Sequence, residues 1–319
     1  MLKSAHVGTL GALCAAAFRL FSATADAQDG AARVEQARFR ANDVRLRPIE
    51  EADRRQSEAS RELIPTTPGN TDIGLQLILK RNEALRPFRL FADAAGYYTN
   101  TVGLASHAKQ GDAYVLASFG ASYERKLTPA LSLEITVRES LFRYDAFNQL
   151  NFESLNAGAG LSYEIQKLWG IALFGRYNFE RLTNHDLSEE FFHNHTLTAG
   201  LQKTFAFGSG HFLYAGYSSV FGFADPVPAE RDEHGLFAGL HVDLGHKFTG
   251  DLYYRAALFD YAGNRNDFNQ TVNASLAWNL TKWASVNASA SFTVDRSNHS
   301  SFNYDVLNTG GGISLRIRF

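Results

Sequence analysis

The chain has 319 residues and a formal net charge of -2, which leaves no concentrated basic surface of the kind nucleic-acid binding needs. Phe and Tyr supply 25 and 13 residues and Gly 26, against 7 Pro and a single Met, a profile that favours strands over helices. Past the first residues, no stretch approaches the ~18 consecutive apolar residues of a spanning helix, so any membrane role would require a barrel of strands.

Residues 1–27 read as a secretory signal. Lys3 gives a basic start, residues 7–21 are largely apolar despite Arg19, and Ala25-Asp26-Ala27 before Gln28 fits an A-x-A cleavage site. The only cysteine, Cys14, lies in this apolar stretch, and Leu13 before it argues against a lipid-anchored reading. The mature chain from Gln28 is therefore expected to carry no disulfide and no thiol chemistry.

Residues 28–86 form an arm of a different character. To residue 63 it is rich in Arg, Glu, Ala and Gln, with Val34, Ala37, Ala41 and Val44 at helical spacing before Pro48 interrupts. This predicts short helices or a disordered segment, lying in the periplasm or inserted as a plug. Residues 65–70 read as a linker, and Ile73, Leu75, Leu77 and Leu79 then alternate with Gly74, Gln76, Ile78 and Lys80 as a strand would. The pattern leaves open whether that strand joins the strands C-terminal to it.

Residues 87–319 alternate with period two, broken about every fifteen residues by turn-like sequence. Ala113, Val115, Ala117, Phe119, Ala121 and Tyr123 share one parity, against Ser118, Gly120, Ser122 and Glu124 on the other. Leu155 to Ile165, Val272 to Leu280 and Val286 to Phe292 repeat the scheme. Soluble sandwiches also alternate, but the connectors decide. Short turns at 127–131, 168–170, 207–211, 248–251 and 281–283 interleave with longer or more polar loops at 102–112, 147–152, 184–191, 225–234, 263–267 and 297–301. This predicts an all-β, up-and-down antiparallel transmembrane barrel of about twelve strands with both ends on the short-turn side.

Aromatic residues collect at two levels. Tyr97, Tyr98, Tyr114, Phe142, Tyr144, Phe179, Phe221, Phe223, Phe237, Tyr261 and Phe268 are expected at an outer interface, and Trp169, Phe205, Phe207, Phe248, Trp278, Trp283 and Phe319 at an inner one. The last strand ends with Ile313, Leu315, Ile317 and Phe319 alternating with Ser314, Arg316 and Arg318. This ending resembles the carboxy-terminal signal by which the barrel assembly machinery recognises bacterial outer-membrane proteins. The resemblance covers residues 88–319. It implies a place in the outer membrane of a Gram-negative type cell, with its lipid, its lipopolysaccharide and that machinery as partners, and it transfers no specific activity.

One position fits poorly. Leu131, Leu133, Ile135 and Val137 share a face that continues to Glu139, where a lipid-facing charge is costly, so a β-bulge at Arg138-Glu139 is expected to turn Phe142 and Tyr144 outward. Lumen-lining candidates are Glu134, Arg138, Arg176, Glu180, Asp243, Lys247, Arg255, Asn273 and Asn287, and their mixed signs predict no strong ion selectivity. A lipid hydrolase would need Ser, His and a polar orienter meeting on the lipid face near the outer rim. Pairing Phe207 with His211 sets Ser219 opposite Ala199 and His195 opposite Phe223, about 13 Å apart along the strand, so no catalytic residue is expected from that group. His185, Asp186, Glu189, Glu190, His193 and His195, with Glu230, Asp232, Glu233 and His234, lack fixed ligand spacing, so neither metal nor cofactor is expected. The leading expectation is a porin-like passive channel for small hydrophilic solutes. The alternative is a non-conducting structural or surface-interaction barrel acting through its outer loops, with a lipid hydrolase third.

Overall fold

The computed structural model describes residues 87–104, 109–168, 170–207 and 210–319. The expected signal at 1–27, the expected arm at 28–86 with its strand pattern at 73–80, and Trp169 lie outside the described residues. Alternation over 12 to 17 residues becomes twelve strands. They are β1 (Phe88–Thr99), β2 (Asp112–Lys126), β3 (Leu131–Tyr144), β4 (Phe152–Ile165), β5 (Ile171–Asn184) and β6 (Glu190–Ala206). The second half comprises β7 (Phe212–Asp225), β8 (Arg231–Gly245), β9 (Phe248–Tyr261), β10 (Arg265–Asn279), β11 (Ala284–Ser297) and β12 (Tyr304–Arg318). Each pairs antiparallel with its neighbours in sequence, and β1 pairs with β12, so the sheet closes with no free edge. Closure lets every ladder N–H and C=O find a partner within the sheet, the condition a strand must meet to cross hydrocarbon.

The two faces follow the sequence parity. In β11, Val286, Ala288, Ala290 and Phe292 are exposed on the outside, while Ser291, Thr293 and Asp295 are buried on the inside. At the end of β12, Ile313, Leu315, Ile317 and Phe319 point outward. Phe319 closes the seam with a backbone hydrogen bond to Phe88 at 3.0 Å, its ring stacked 6.1 Å from that of Phe88.

Three local expectations are corrected. Pairing through Arg138-Glu139 is uninterrupted on both sides, with Glu139 opposite Phe119 and Leu155, so no bulge lies there. Glu139 stays on the outer face, and Phe142 and Tyr144 turn inward. An irregularity falls instead between β5 and β6, at Leu182/Thr183. The fourth inner turn is not at 248–251, which belongs to β9, but at His246-Lys247, with φ of 50° and 70° after Gly245 at 75°. Two-residue hairpin loops need positive φ, and without Asn-Gly or Asp-Gly the usual signal is missing.

The outer aromatic girdle is also thinner than expected. Tyr98, Phe221, Phe223 and Phe268 are exposed outside, but Tyr97, Tyr114, Phe142, Tyr144, Phe237 and Tyr261 face the interior. At this end of β1 to β6 both parities carry large side chains, so polarity does not say which one faces lipid. Tyr261 packs separately with Ala257 and Phe259, whereas Tyr97, Tyr114, Phe142 and Tyr144 pack into a core with Phe152, Leu182 and Phe192. Its rings stack, Phe142 on Phe152 at 4.2 Å and Tyr97 beside Tyr114 at 5.3 Å.

Elsewhere inward rings lie over glycines directly opposite them on the next strand. Phe91 covers Gly120, Tyr97 covers Gly310, Phe174 covers Gly200, Phe237 covers Gly216 and Tyr214 covers Gly239. A Cβ built on any of these glycines would come within 2.6 Å of a ring atom. The glycine supplies the flat seat that lets the ring lie along the wall.

Candidate functional site

The interior has two kinds of surface. Near the outer end of β1 to β7 it is the aromatic core just described. Along β10 to β12 it is lined by small polar groups, among them Asn269, Thr271, Asn273, Ser275, Asn287, Ser289, Ser291, Asn308 and Gly312. These hydrogen-bond across strands: Asn287 Nδ2 donates to Ser314 Oγ at 3.0 Å, Thr271 and Thr293 hydroxyls lie 3.1 Å apart, and Asn269 Nδ2 donates to Asp295 Oδ1 at 2.8 Å. Bonded along the wall in this way, these short side chains keep to it, although the buried Ser291 hydroxyl has no partner among the described residues.

Inward charges come mostly with a partner of opposite sign. Arg138 sits 3.7 Å from Asp93 and over the Phe91 ring, and Arg176 donates to Glu134. Glu180 accepts from Ser154 Oγ at 3.3 Å. Arg255 and Arg231 both donate to Glu233, at 2.6 and 2.9 Å. Arg265 reaches Asp267 at 2.5 Å, and the buried His241 meets Asp251 at 2.6 Å under the stacked ring of Phe212. Glu134, Arg138, Arg176, Glu180, Arg255, Asn273 and Asn287 thus all stand on the interior face. Lys247 does not: it is exposed in the β8–β9 turn, donating to Leu280 O at 3.2 Å. Asp243 lies at the inner mouth, exposed, accepting from Gly245 N at 2.8 Å. Lys247 is misplaced by counting because β8 ends at Gly245, whereas Asp243 keeps the interior parity but sits at the exposed end of that strand. Asp93, Arg231, Glu233 and Asp267 join the interior set without being expected there. Asp93 sits on the polar parity of β1, a signal the sequence does carry, whereas Arg231, Glu233 and Asp267 resemble outer-loop residues in their polarity.

The outer wall carries a second polar group. The register between β6 and β7 is as expected, with Ser219 opposite Ala199 and His195 opposite Phe223, and His195 Nδ1 meets Tyr177 Oη at 2.7 Å instead. Ser219, however, lies directly opposite His234 on β8. Its Oγ is 3.0 Å from His234 Nδ1, and Tyr217 Oη is 2.9 Å from Ser219 and 3.1 Å from His234. Sequence alone places His234 in a loop and so never sets it against Ser219. The acidic and imidazole groups of the outer loops do not converge: His193 pairs with Glu190 at 2.7 Å, while Glu233 and His234 face opposite sides of the wall. Among the described residues no three His, Cys, Asp or Glu side chains are placed to hold a metal ion.

No family model and no curated protein matches the sequence. Solved structures do match. An outer membrane channel from Pseudomonas putida superposes with a TM-score of 0.51 at 10% identity, covering 75% of this chain and 98% of that one. The fold is that of the bacterial outer-membrane β-barrels. Looser matches to this barrel include an anion-selective porin from Comamonas acidovorans, with a TM-score of 0.39 at 9% identity over 72% of this chain and 98% of that one. The translocator domain of the autotransporter NalP from Neisseria meningitidis matches with a TM-score of 0.41 at 8% identity, over 74% of this chain and 90% of that one. The barrel's oily outer band between two levels of exposed aromatics suits it to the outer membrane.

Proposed function

We propose that the barrel is a porin-like passive channel for small hydrophilic solutes. The observation that carries this reading is the β10 to β12 wall, where short Asn, Ser, Thr and Gly residues face the interior and the hydrogen bonds of Asn269, Thr271 and Asn287 run between neighbouring strands along the wall rather than across it. The aromatic core on the β1 to β7 side narrows the outer end and leaves the polar side as the route for a solute. Because the charges of that interior largely come as opposite pairs, selection falls on size and hydrogen bonding more than on charge.

Single-channel conductance in a planar bilayer tests it, comparing the chain from Gln28 with a variant that begins at Arg86, one residue before the described barrel. Steady openings from the longer chain support an open channel, and openings only after truncation make the arm a plug. Silence from both favours the alternative, a filled barrel acting through its outer loops. A matched pair of substitutions sharpens the test. Ser289→Trp projects into the polar side and should lower conductance, whereas Ala288→Trp, on the lipid face of the same strand, should leave it unchanged. Equal effects from both would remove the polar wall from the path.

A further inference from the structure

An imidazole and a serine hydroxyl on the lipid-facing side of a barrel are costly to keep there, and polar groups held at such a cost mark functional sites. Ser219, His234 and Tyr217 stand on that side, and each lies within 3.1 Å of the other two. The exposed rings of Phe221 and Phe223 come next on the same face of β7 toward the outer end. Two residues along a tilted strand put Ser219 about 5 Å below Phe221, just under the level where an aromatic girdle meets headgroups. Lipid ester carbonyls occupy that depth. On the β6 side Ser219 is paired with the small Ala199, whose methyl takes little of the space an acyl chain would need.

We propose that these residues form an esterase site on the outer wall, open to the bilayer, with the acyl ester of an outer-leaflet lipid as substrate. Nδ1 of His234 accepts from a hydroxyl only when the ring proton is on Nε2, the tautomer that leaves Nδ1 free as a base. Ser219 Oγ attacks the acyl carbonyl carbon while its proton passes to His234 Nδ1. Tyr217 Oη, 2.9 Å from Ser219 Oγ, donates to the oxyanion as it develops. The tetrahedral intermediate collapses, the bond from the acyl carbon to the lipid oxygen breaks, and His234 returns the proton to the leaving alcohol. The acyl group is then esterified to Ser219. Interfacial water, deprotonated by the same Nδ1, releases it as a free fatty acid and restores the serine. The transient imidazolium lies about 7 Å from Asp232, two residues away on the same face of β8. Asp260 is paired opposite Asp232 and adds to the negative potential there. The site is across the wall from the lumen, so it stands or falls apart from the channel.

The test uses the protein refolded into phosphatidylethanolamine vesicles, with and without lipopolysaccharide, and measures fatty-acid release. Release should fall at least ~100-fold in Ser219→Ala and in His234→Ala, and about tenfold in Tyr217→Phe. A serine-directed fluorophosphonate should label the wild-type protein and not Ser219→Ala. Conductance and heat-modifiable migration should be the same in all four proteins, since none of the three side chains faces the interior. Release from phospholipid vesicles alone identifies the phospholipid as the source, and release only when lipopolysaccharide is present identifies its acyl esters. Absence of both release and labelling in the folded protein overturns the proposal.

Discussion

Replacing Glu233 with alanine should cost the folded barrel about 3 kcal/mol, because it removes one half of a largely buried ion pair whose other half is double. Arg255 and Arg231 donate to the same carboxylate at 2.6 and 2.9 Å. Their guanidiniums also share a ring, lying 5.5 and 5.0 Å from the centroid of Phe259. Without the carboxylate, two like charges remain beside one aromatic ring in a largely buried part of the wall. Glu233→Gln keeps an acceptor and should lose less. Urea unfolding in detergent micelles, followed by tryptophan fluorescence, measures the difference. In a bilayer the same change raises the local charge by one unit and should move the reversal potential in a salt gradient toward anions. An unfolding free energy within ~0.5 kcal/mol of the parent protein would reduce Glu233 to a solvated surface ion pair.

The second large effect is expected at the seam. Gly310 on β12 lies opposite Tyr97 on β1, and a Cβ there would stand 2.4 Å from the tyrosine ring and 2.3 Å from the Gly96 carbonyl oxygen. Gly310→Val should therefore destabilise the barrel by about 3 kcal/mol, the upper end of what overpacking costs when backbone must move. Gly96→Ala on the same seam meets nothing within 4 Å and should be near neutral. Adding Tyr97→Ala to Gly310→Val should recover only part of the loss, since the carbonyl remains in the way. Full recovery in that double variant would show that the ring alone holds the position.

Much of this architecture is legible in the sequence because it rests on parity. The oily set of β2, β4, β10 and β11 is apolar at alternate residues over most of each strand, and that sets inside, outside and strand count together. Parity fails where both faces are bulky. Tyr97 and Tyr98, or Leu141 and Phe142, are adjacent and similarly hydrophobic, so the sequence does not say which leaves the girdle for the interior. It fails again at reversals that use ordinary residues. His246-Lys247 turns tightly with no glycine in the turn itself, and Arg231, Glu233 and His234 read as loop because their polarity looks the same in a loop as at a strand end. That ambiguity has the largest consequence. The register of β7 against β6 follows from the sequence and disposes of His195, but Ser219 meets its histidine on the other neighbour, β8, a pairing visible only once the strand is known to begin at Arg231.

A slip of two residues between neighbouring strands leaves every side chain on its proper face, so alternation of oil and water cannot detect it. Along β10 to β12, where Asn, Ala, Ser and Thr recur with little variety, many such slipped pairings would look acceptable. The rings seated on glycines are sensitive where polarity is not. Moved by two, Phe91 would lie against Ser118 or Ser122 instead of Gly120, and Phe237 against Tyr214 or Ser218 instead of Gly216, while Tyr97 would meet Asn308 in one direction and a second glycine, Gly312, in the other. These pairs therefore act as keys cut into the wall at β1–β12, β1–β2, β5–β6 and β7–β8. The one at the seam checks the alignment of the first strand with the last against a slip toward Asn308, when the cylinder shuts.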